Sequence, residues 1–320
     1  MNTNLITVCV TTFNRKEKLM FTIQSILSQT YTNFEIIIID DCSTDGTQLF
    51  VEKTILKLDT RIKYIKHIVN KGLATARNTA INNARGKYFT FCDDDDVWSN
   101  NFLEIFLESA ENYDDTYSFC SSIISNETKV KAICSSFKDF ILLGYTPPVA
   151  SQFYHTKALK ELGGYDEDIT SGVDHDLWLT LGFKSYNLVW LNRDMVTVNQ
   201  DETEDRMTFN VDKRVSGIKK SMKIWRNRIG NNFGERFFSF FEKNYKYNTY
   251  KKYILLSIKN KDYSKTFSYL VVLPKQLFLL DIKRYFNRKF KNEETLIHPT
   301  FTKCIPETKL IIRRIEITRK

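Results

Sequence analysis

The sequence predicts an α/β domain with a mixed, mostly parallel sheet over residues 1–205, followed by a basic, mainly helical region over residues 206–320. Two observations carry that expectation. Short β-branched apolar runs alternate with amphipathic segments through the first half, and strands alternating with helices favour a parallel sheet covered on both faces. Beyond about residue 206 glycine becomes scarce and the charge reverses. Residues 1–205 carry 19 Lys/Arg against 29 Asp/Glu and residues 206–320 carry 28 against 9, so the net +9 divides into −10 and +19. A chain of 320 residues with 42% hydrophobic content can build one catalytic domain and a smaller appendage.

Ile6–Thr12, Phe34–Asp40, Ile62–His67 and Tyr88–Cys92 read as strands. Between the first two, Leu19, Ile23, Ile26 and Leu27 share one helical face. A second helix is expected over Thr44–Leu58 and a third from Leu73 to Ala84, with Gly86 as its stop. Pro147–Pro148 and Gly163–Gly164 mark turns before a helix at Asp174–Phe183. Farther on, Phe237, Phe241 and Tyr245 recur at helical spacing among lysines. The longest apolar run, Tyr269–Leu280, is broken by Pro274, Lys275 and Gln276 and falls short of the ~20 residues that span a bilayer. The start, MNTNLITVCVTTF, does not read as a secretory signal, so a cytoplasmic location is expected. Six cysteines occur singly with no CxxC pair, which suits reduced core thiols.

In a parallel sheet, ligands gather at the carboxyl ends of the strands. The first strand ends in Thr11-Thr12-Phe13-Asn14-Arg15 and the second in Asp40-Asp41-Cys42-Ser43-Thr44-Asp45-Gly46. Each could border a nucleotide or merely cap the next helix. The fourth strand runs into Asp93-Asp94-Asp95-Asp96, where like charges repel by about 1 kcal/mol per pair even at solvent-like dielectric. A dication such as Mn²⁺ or Mg²⁺ would offset that repulsion, since both take oxygen ligands and bridge carboxylates to substrate phosphates. A solvated acidic loop is the other reading.

Taken together, Thr11 to Arg15, IIIDDCSTDGT, NKGLATARN at 70–78, FCDDDDVW, Gly163-Gly164-Tyr165-Asp166-Glu167 and Asp174-His175-Asp176-Leu177-Trp178 resemble glycosyltransferase family 2, over residues 5–200. That resemblance implies a GT-A fold, a Rossmann-like nucleotide-sugar-binding domain, with a nucleotide-diphosphate sugar, usually of uridine, across the strand ends. Matched position by position, it implies that Thr11, Phe13, Asn14 and Arg15 border the nucleotide, that Asp41 accepts a hydrogen bond from the base, and that Lys71 and Arg77 approach base or diphosphate. Asp93 and Asp94 would contact ribose or metal-bound water. Asp95, with Asp93, would hold the metal. Asp174 would be the base, Asp176 its fallback, and inversion the outcome. Trp98, His175 and Trp178 would line the acceptor site, although a helical tryptophan also suits a core. One position departs from the pattern: Val173 stands where the family usually shows Glu.

The resemblance implies a glycan or lipid-linked acceptor. For the +19 region an anionic membrane surface is the expected partner. In Asp281–Lys291, Ile282, Tyr285, Phe286 and Phe290 fall on one face and basic residues elsewhere, as in helices that lie in a lipid interface; a soluble helical subdomain fits equally. Nucleic acid is not expected, because no reader motif occurs. Neither GxGxxG nor GxxxxGK[ST] is present, which sets aside dinucleotide oxidoreductases and P-loop ATPases. A sugar-nucleotide or glycan-binding module without catalysis is the remaining rival.

Overall fold

The computed structural model describes residues 4–122, 131–136, 147–197, 211–259, 261, 263–264, 267 and 313–316. Strands are β1 (Ile6–Thr12), β2 (Phe34–Asp40), β3 (Ile62–Lys66), β4 (Tyr88–Asp93), β5 (Val97–Trp98), β6 (Tyr117–Ser122), β7 (Lys131–Ser136), β8 (Gln152–His155), β9 (Asn187–Asp194), β10 (Val196–Thr197) and β11 (Arg313–Glu316). Helices are α1 (Lys16–Leu27), α2 (Thr47–Lys53), α3 (Leu73–Asn83), α4 (Phe102–Ala110), α5 (Thr156–Glu161), α6 (Val173–Phe183), α7 (Val211–Phe233) and α8 (Glu235–Lys259). Nine strands form one mixed sheet in the order β11-β7-β9-β6-β8-β4-β1-β2-β3. The run β4-β1-β2-β3 is wholly parallel, and β8 joins β4 in antiparallel sense.

The parallel run exists because its strands are apolar on both faces: every residue of β2 is buried, as expected where helices cover both sides of a sheet. On one side Val8, Val10, Ile36 and Ile38 belong to a core cluster with Leu19, Ile23 and Ile26 of α1, each fully buried side chain contributing about 1.5–3 kcal/mol. On the other, α3 packs on β1 and β2 through Ala74, Ala76, Ala80 and Ile81, small residues that let the helix approach closely. The register pairs Thr11 with Asp93 and Thr12 with Asp40, so the polar ends of three strands lie side by side.

Two expected helices differ in detail. The segment expected as a helix over Thr44–Leu58 divides into α2 and a short 3-10 turn, Ile55–Lys57. Left-handed Gly46 (φ 87°) delays the start, and Thr54 (φ −120°) interrupts the helix. Gly86 is not the stop of α3; Ala84 ends that helix by turning extended (ψ 131°). Glycine is needed at 86 for another reason. A Cβ there would lie 2.6 Å from the Thr7 nitrogen and 2.8 Å from the Leu5 carbonyl oxygen.

The described residues up to Trp225, with 313–316, form one compact unit, and those from Arg226 a second. The expected boundary at 205 lies outside the described residues, as do Tyr269–Leu280 and Asp281–Lys291. In the second unit, Phe238, Phe241 and Tyr245 are buried at helical spacing along α8, their rings 6.3 and 5.8 Å apart in sequence order. No helix among the described residues is long and apolar enough to cross a membrane.

Gly86→Ala should lower the free energy of unfolding by about 1–3 kcal/mol, the usual effect of overpacking, measured by urea denaturation; unchanged stability would show that the β1–β4 junction has room to spare.

Candidate active site

The parallel register brings the polar end of β1 beside the carboxylate-bearing ends of β2 and β4. There the turns after β1 and β2 are stitched together. The Asn14 nitrogen donates to Ser43 Oγ (2.8 Å) and the Thr44 nitrogen to Asn14 Oδ1 (2.7 Å). Asn14 and Cys42 both take left-handed backbone, with φ of 55° and 71°. Asp40 and Asp45 serve this local frame. Asp40 accepts from the Ser43 nitrogen and the Tyr64 hydroxyl, and Asp45 from the Lys16 and Thr47 nitrogens.

Asp41 is different in kind. Its Oδ1 accepts from His67 Nδ1 (2.8 Å) and the Lys71 nitrogen (2.8 Å), and its Oδ2 from the Gly72 nitrogen (2.7 Å). A carboxylate offers about four acceptor positions, so one is left, in a side chain 8% exposed. Lys71 thus meets Asp41 through its backbone, and its own side chain is exposed. Phe13, directly after β1, is 45% exposed.

The acidic run turns sharply, the Asp96 nitrogen donating to the Asp93 oxygen at 3.0 Å, and the Thr22 hydroxyl of α1 holds the Asp96 oxygen at 2.9 Å. Asp94 accepts from Thr12 Oγ1 (2.6 Å) and from Arg15 (3.0 Å), which also lies 3.4 Å from Asp95. Burial pushes the Asp94 carboxyl up to about 6, against the opposing pull of Arg15 and the Thr12 hydroxyl. For Arg15, burial disfavours the charge but Asp94 and Asp95 prevail and raise its pKa.

Arg77, which the resemblance placed near the base or diphosphate, is committed to carboxylates. It is 1% exposed, and its guanidinium bridges Asp93 (3.2 Å) and Asp174 (2.5 Å) between the rings of Phe91 and Tyr165, 5.5 and 5.4 Å away. Burial opposes its charge, yet Asp174 and Asp93 outweigh it and raise the pKa. Asn78, the next residue, pins the turn that precedes α6: it donates to the Tyr165 oxygen (2.9 Å) and accepts from the Tyr165 nitrogen (2.8 Å). Gly164 there is left-handed (φ 72°), and a Cβ on it would meet Asn78 Oδ1 at 2.3 Å.

Asp174, with a side chain 32% exposed, opens toward solvent. Asp176 faces inward, 2% exposed, and accepts from Trp225 Nε1 at 2.6 Å. The expected acceptor residues are core residues instead. Trp98 (4% exposed) stacks on Phe102 and donates to the Ala150 oxygen; Trp178 (1%) donates to Tyr154; His175 (5%) lies against Trp225. Their apolar bulk is worth more inside the fold than at a wet rim.

Among the described residues, no three His, Cys, Asp or Glu side chains converge as a ready metal cage. The donor set nonetheless fits a hard dication. Asp93, Asp94, Asp95 and Asp174 are oxygen donors paired with the guanidiniums of Arg15 and Arg77, and Mg²⁺-type sites draw one or two carboxylates from the protein and the rest from phosphates and water.

Residues 7–153 match the family model described as Glycosyl transferase family 2. This part of the chain is a family 2 glycosyltransferase domain. The domain is 45% identical over 106 residues to the putative colanic acid biosynthesis glycosyl transferase WcaA of Escherichia coli K12, covering 33% of this chain and 38% of that one. It is 36% identical over 132 residues to the E. coli UDP-Glc:alpha-D-GlcNAc-diphosphoundecaprenol beta-1,3-glucosyltransferase WfaP, covering 41% and 51%. The chain thus spans about half or less of these relatives' lengths. The crystal structure of S. aureus TarS 1-349 in complex with UDP superposes with a TM-score of 0.51 at 17% identity, over 82% of this chain and 88% of that one, which shows the shared GT-A fold.

Asp94 generates a pH dependence. Its raised pKa means that folding takes up a proton between about 4 and 6, so stability declines as pH rises through that window. The linked difference is about 3 kcal/mol at 1.36 kcal/mol per unit. Urea denaturation of the family 2 domain from pH 4 to 7 should show this slope in the native chain and lose it in Asp94→Asn; parallel profiles would refute the raised pKa.

Proposed function

We propose that this chain is an inverting glycosyltransferase that moves a hexosyl or N-acetylhexosaminyl group from a UDP-sugar to a hydroxyl of a glycan or lipid-linked acceptor during surface-polysaccharide assembly. The observation that carries the reading is the buried Arg77 guanidinium, which draws Asp174 to the edge where Asp93 and Asp95 lie. One edge therefore offers oxygen ligands for a diphosphate-bound cation and, beside them, a carboxylate able to take a proton. The names of WcaA and WfaP, which concern colanic acid and a diphosphoundecaprenol acceptor, support the substrate class.

Asp41, with one acceptor position left, reads an N–H of the donor base, and uracil presents a single such group at N3. Asp95 and Asp93 would hold Mn²⁺ or Mg²⁺, which as a Lewis acid stabilises negative charge on a departing diphosphate. Asp174 accepts the proton of the acceptor hydroxyl as that oxygen bonds to the anomeric carbon. The bond from the same carbon to the diphosphate oxygen breaks on the opposite face, and its electron pair leaves with UDP. Arg77 holds the Asp174 carboxylate in place for this transfer. A membrane-bound acceptor would sit well with the basic region 206–320 against anionic lipid at the inner face of the cytoplasmic membrane.

A second reading, a binding module without turnover, has its own observation: Arg77 already balances the charge of Asp174, and Val173 removes the usual acidic neighbour. UDP release from UDP-sugars with Mn²⁺, across candidate acceptors, separates the two. Asp174→Asn should lower turnover by about 10²–10⁴-fold with donor affinity unchanged; equal turnover would move the base elsewhere. Asp95→Ala should abolish the Mn²⁺-dependent part of UDP-sugar binding in calorimetry, and near-native binding would remove the metal from this edge.

A further inference from the structure

His67 directly follows β3 and is 7% exposed. Its backbone nitrogen donates to the Asp40 oxygen at 2.9 Å, which fixes the ring beside the β2 end. Both ring nitrogens have partners. Nδ1 lies 2.8 Å from Asp41 Oδ1, and Nε2 lies 3.0 Å from Thr79 Oγ1 of α3. A carboxylate oxygen only accepts, so Nδ1 carries a hydrogen. The Thr79 hydroxyl is within 2.9 Å of the Thr75 oxygen and can turn its proton there or toward Nε2. The same contacts therefore serve neutral and protonated imidazole, and Nδ1–H faces Asp41 in both.

We propose that His67 is a positioning residue for recognition of the donor base, its imidazole fixing the Asp41 carboxylate so that the last acceptor position faces the nucleotide crevice. The inference rests on the reading of Asp41 as the acceptor of the base N–H. Without the ring, the Lys71 and Gly72 nitrogens alone hold Asp41, and both come from one stretch of loop. With it, the carboxylate is also tied through Thr79 to α3, the helix that carries Arg77. Neighbouring Ile68 and Val69, 94% and 58% exposed, give the loop no apolar anchor of its own, so the imidazole supplies the anchor.

The geometry separates two substitutions. An asparagine amide nitrogen falls near the place of Nδ1, whereas a glutamine amide reaches toward Nε2. Binding of UDP and of N3-methyluridine diphosphate to the full chain with Mn²⁺ is then measured by calorimetry. The native chain should prefer UDP. His67→Gln should weaken UDP about tenfold, equivalent to about 1.4 kcal/mol, while leaving the N3-methyl compound unchanged, and His67→Asn should restore most of the preference. Equal preference in His67→Gln, or an equal loss in His67→Asn, would overturn the proposal. Asp41→Asn with native UDP affinity would instead overturn the reading of Asp41 itself. Should His67→Gln fail to fold, ¹⁵N-histidine spectra of the native chain decide: UDP should shift the His67 Nδ1 resonance and the N3-methyl compound should not, and identical shifts would overturn the role.

Discussion

One buried cation organises the catalytic edge. Arg77 has almost no contact with water, and its two carboxylate partners come from the end of β4 and the first turn of α6. Removing one partner of such a pair leaves an uncompensated charge in the interior, at a cost of about 3–5 kcal/mol. The position of Asp174 is therefore coupled to the fold itself. Phe91 and Tyr165 flank the guanidinium and exclude solvent that would otherwise screen the attraction. The acid expected to accept a proton is thereby held on a rigid support, which suits a reaction that depends on orientation.

A second cation, Arg15, pairs with Asp94 and Asp95. Burial around Asp94 outweighs the pull of Arg15 and of the Thr12 hydroxyl, so this carboxyl holds its proton more tightly than an exposed one. The turns after β1 and β2 also contribute geometry, since Asn14, Ser43 and Thr44 fasten one turn to the other.

Much of this was legible in the residues. The four parallel strands and the helix over 173–183 were found within a residue or two because the apolar runs are long and cleanly bounded. The polar positions after the strands lie side by side because the register aligns those strand ends. Three things were not legible. The family resemblance implied that Arg77 approaches base or diphosphate; only the fold shows that α3 buries it against Asp174. Trp98, His175 and Trp178 were expected at the acceptor, but tertiary packing placed them in the core. His67 and Thr79 went unnoticed because nothing local distinguishes a histidine that ends a strand from an ordinary buried one. A histidine coming up at the same sheet edge as Asp41 was the signal that could have exposed it.

The contact between Gly164 and Asn78 sets a limit on how this domain can vary. With 2.3 Å between a would-be Cβ and the amide oxygen, the turn before α6 and the helix that carries Arg77 behave as mated parts, cut to each other with no clearance. A segment carrying this turn, grafted from a relative whose turn differs, would seat only if α3 travelled with it. The turn and the helix therefore vary together as a block rather than one residue at a time.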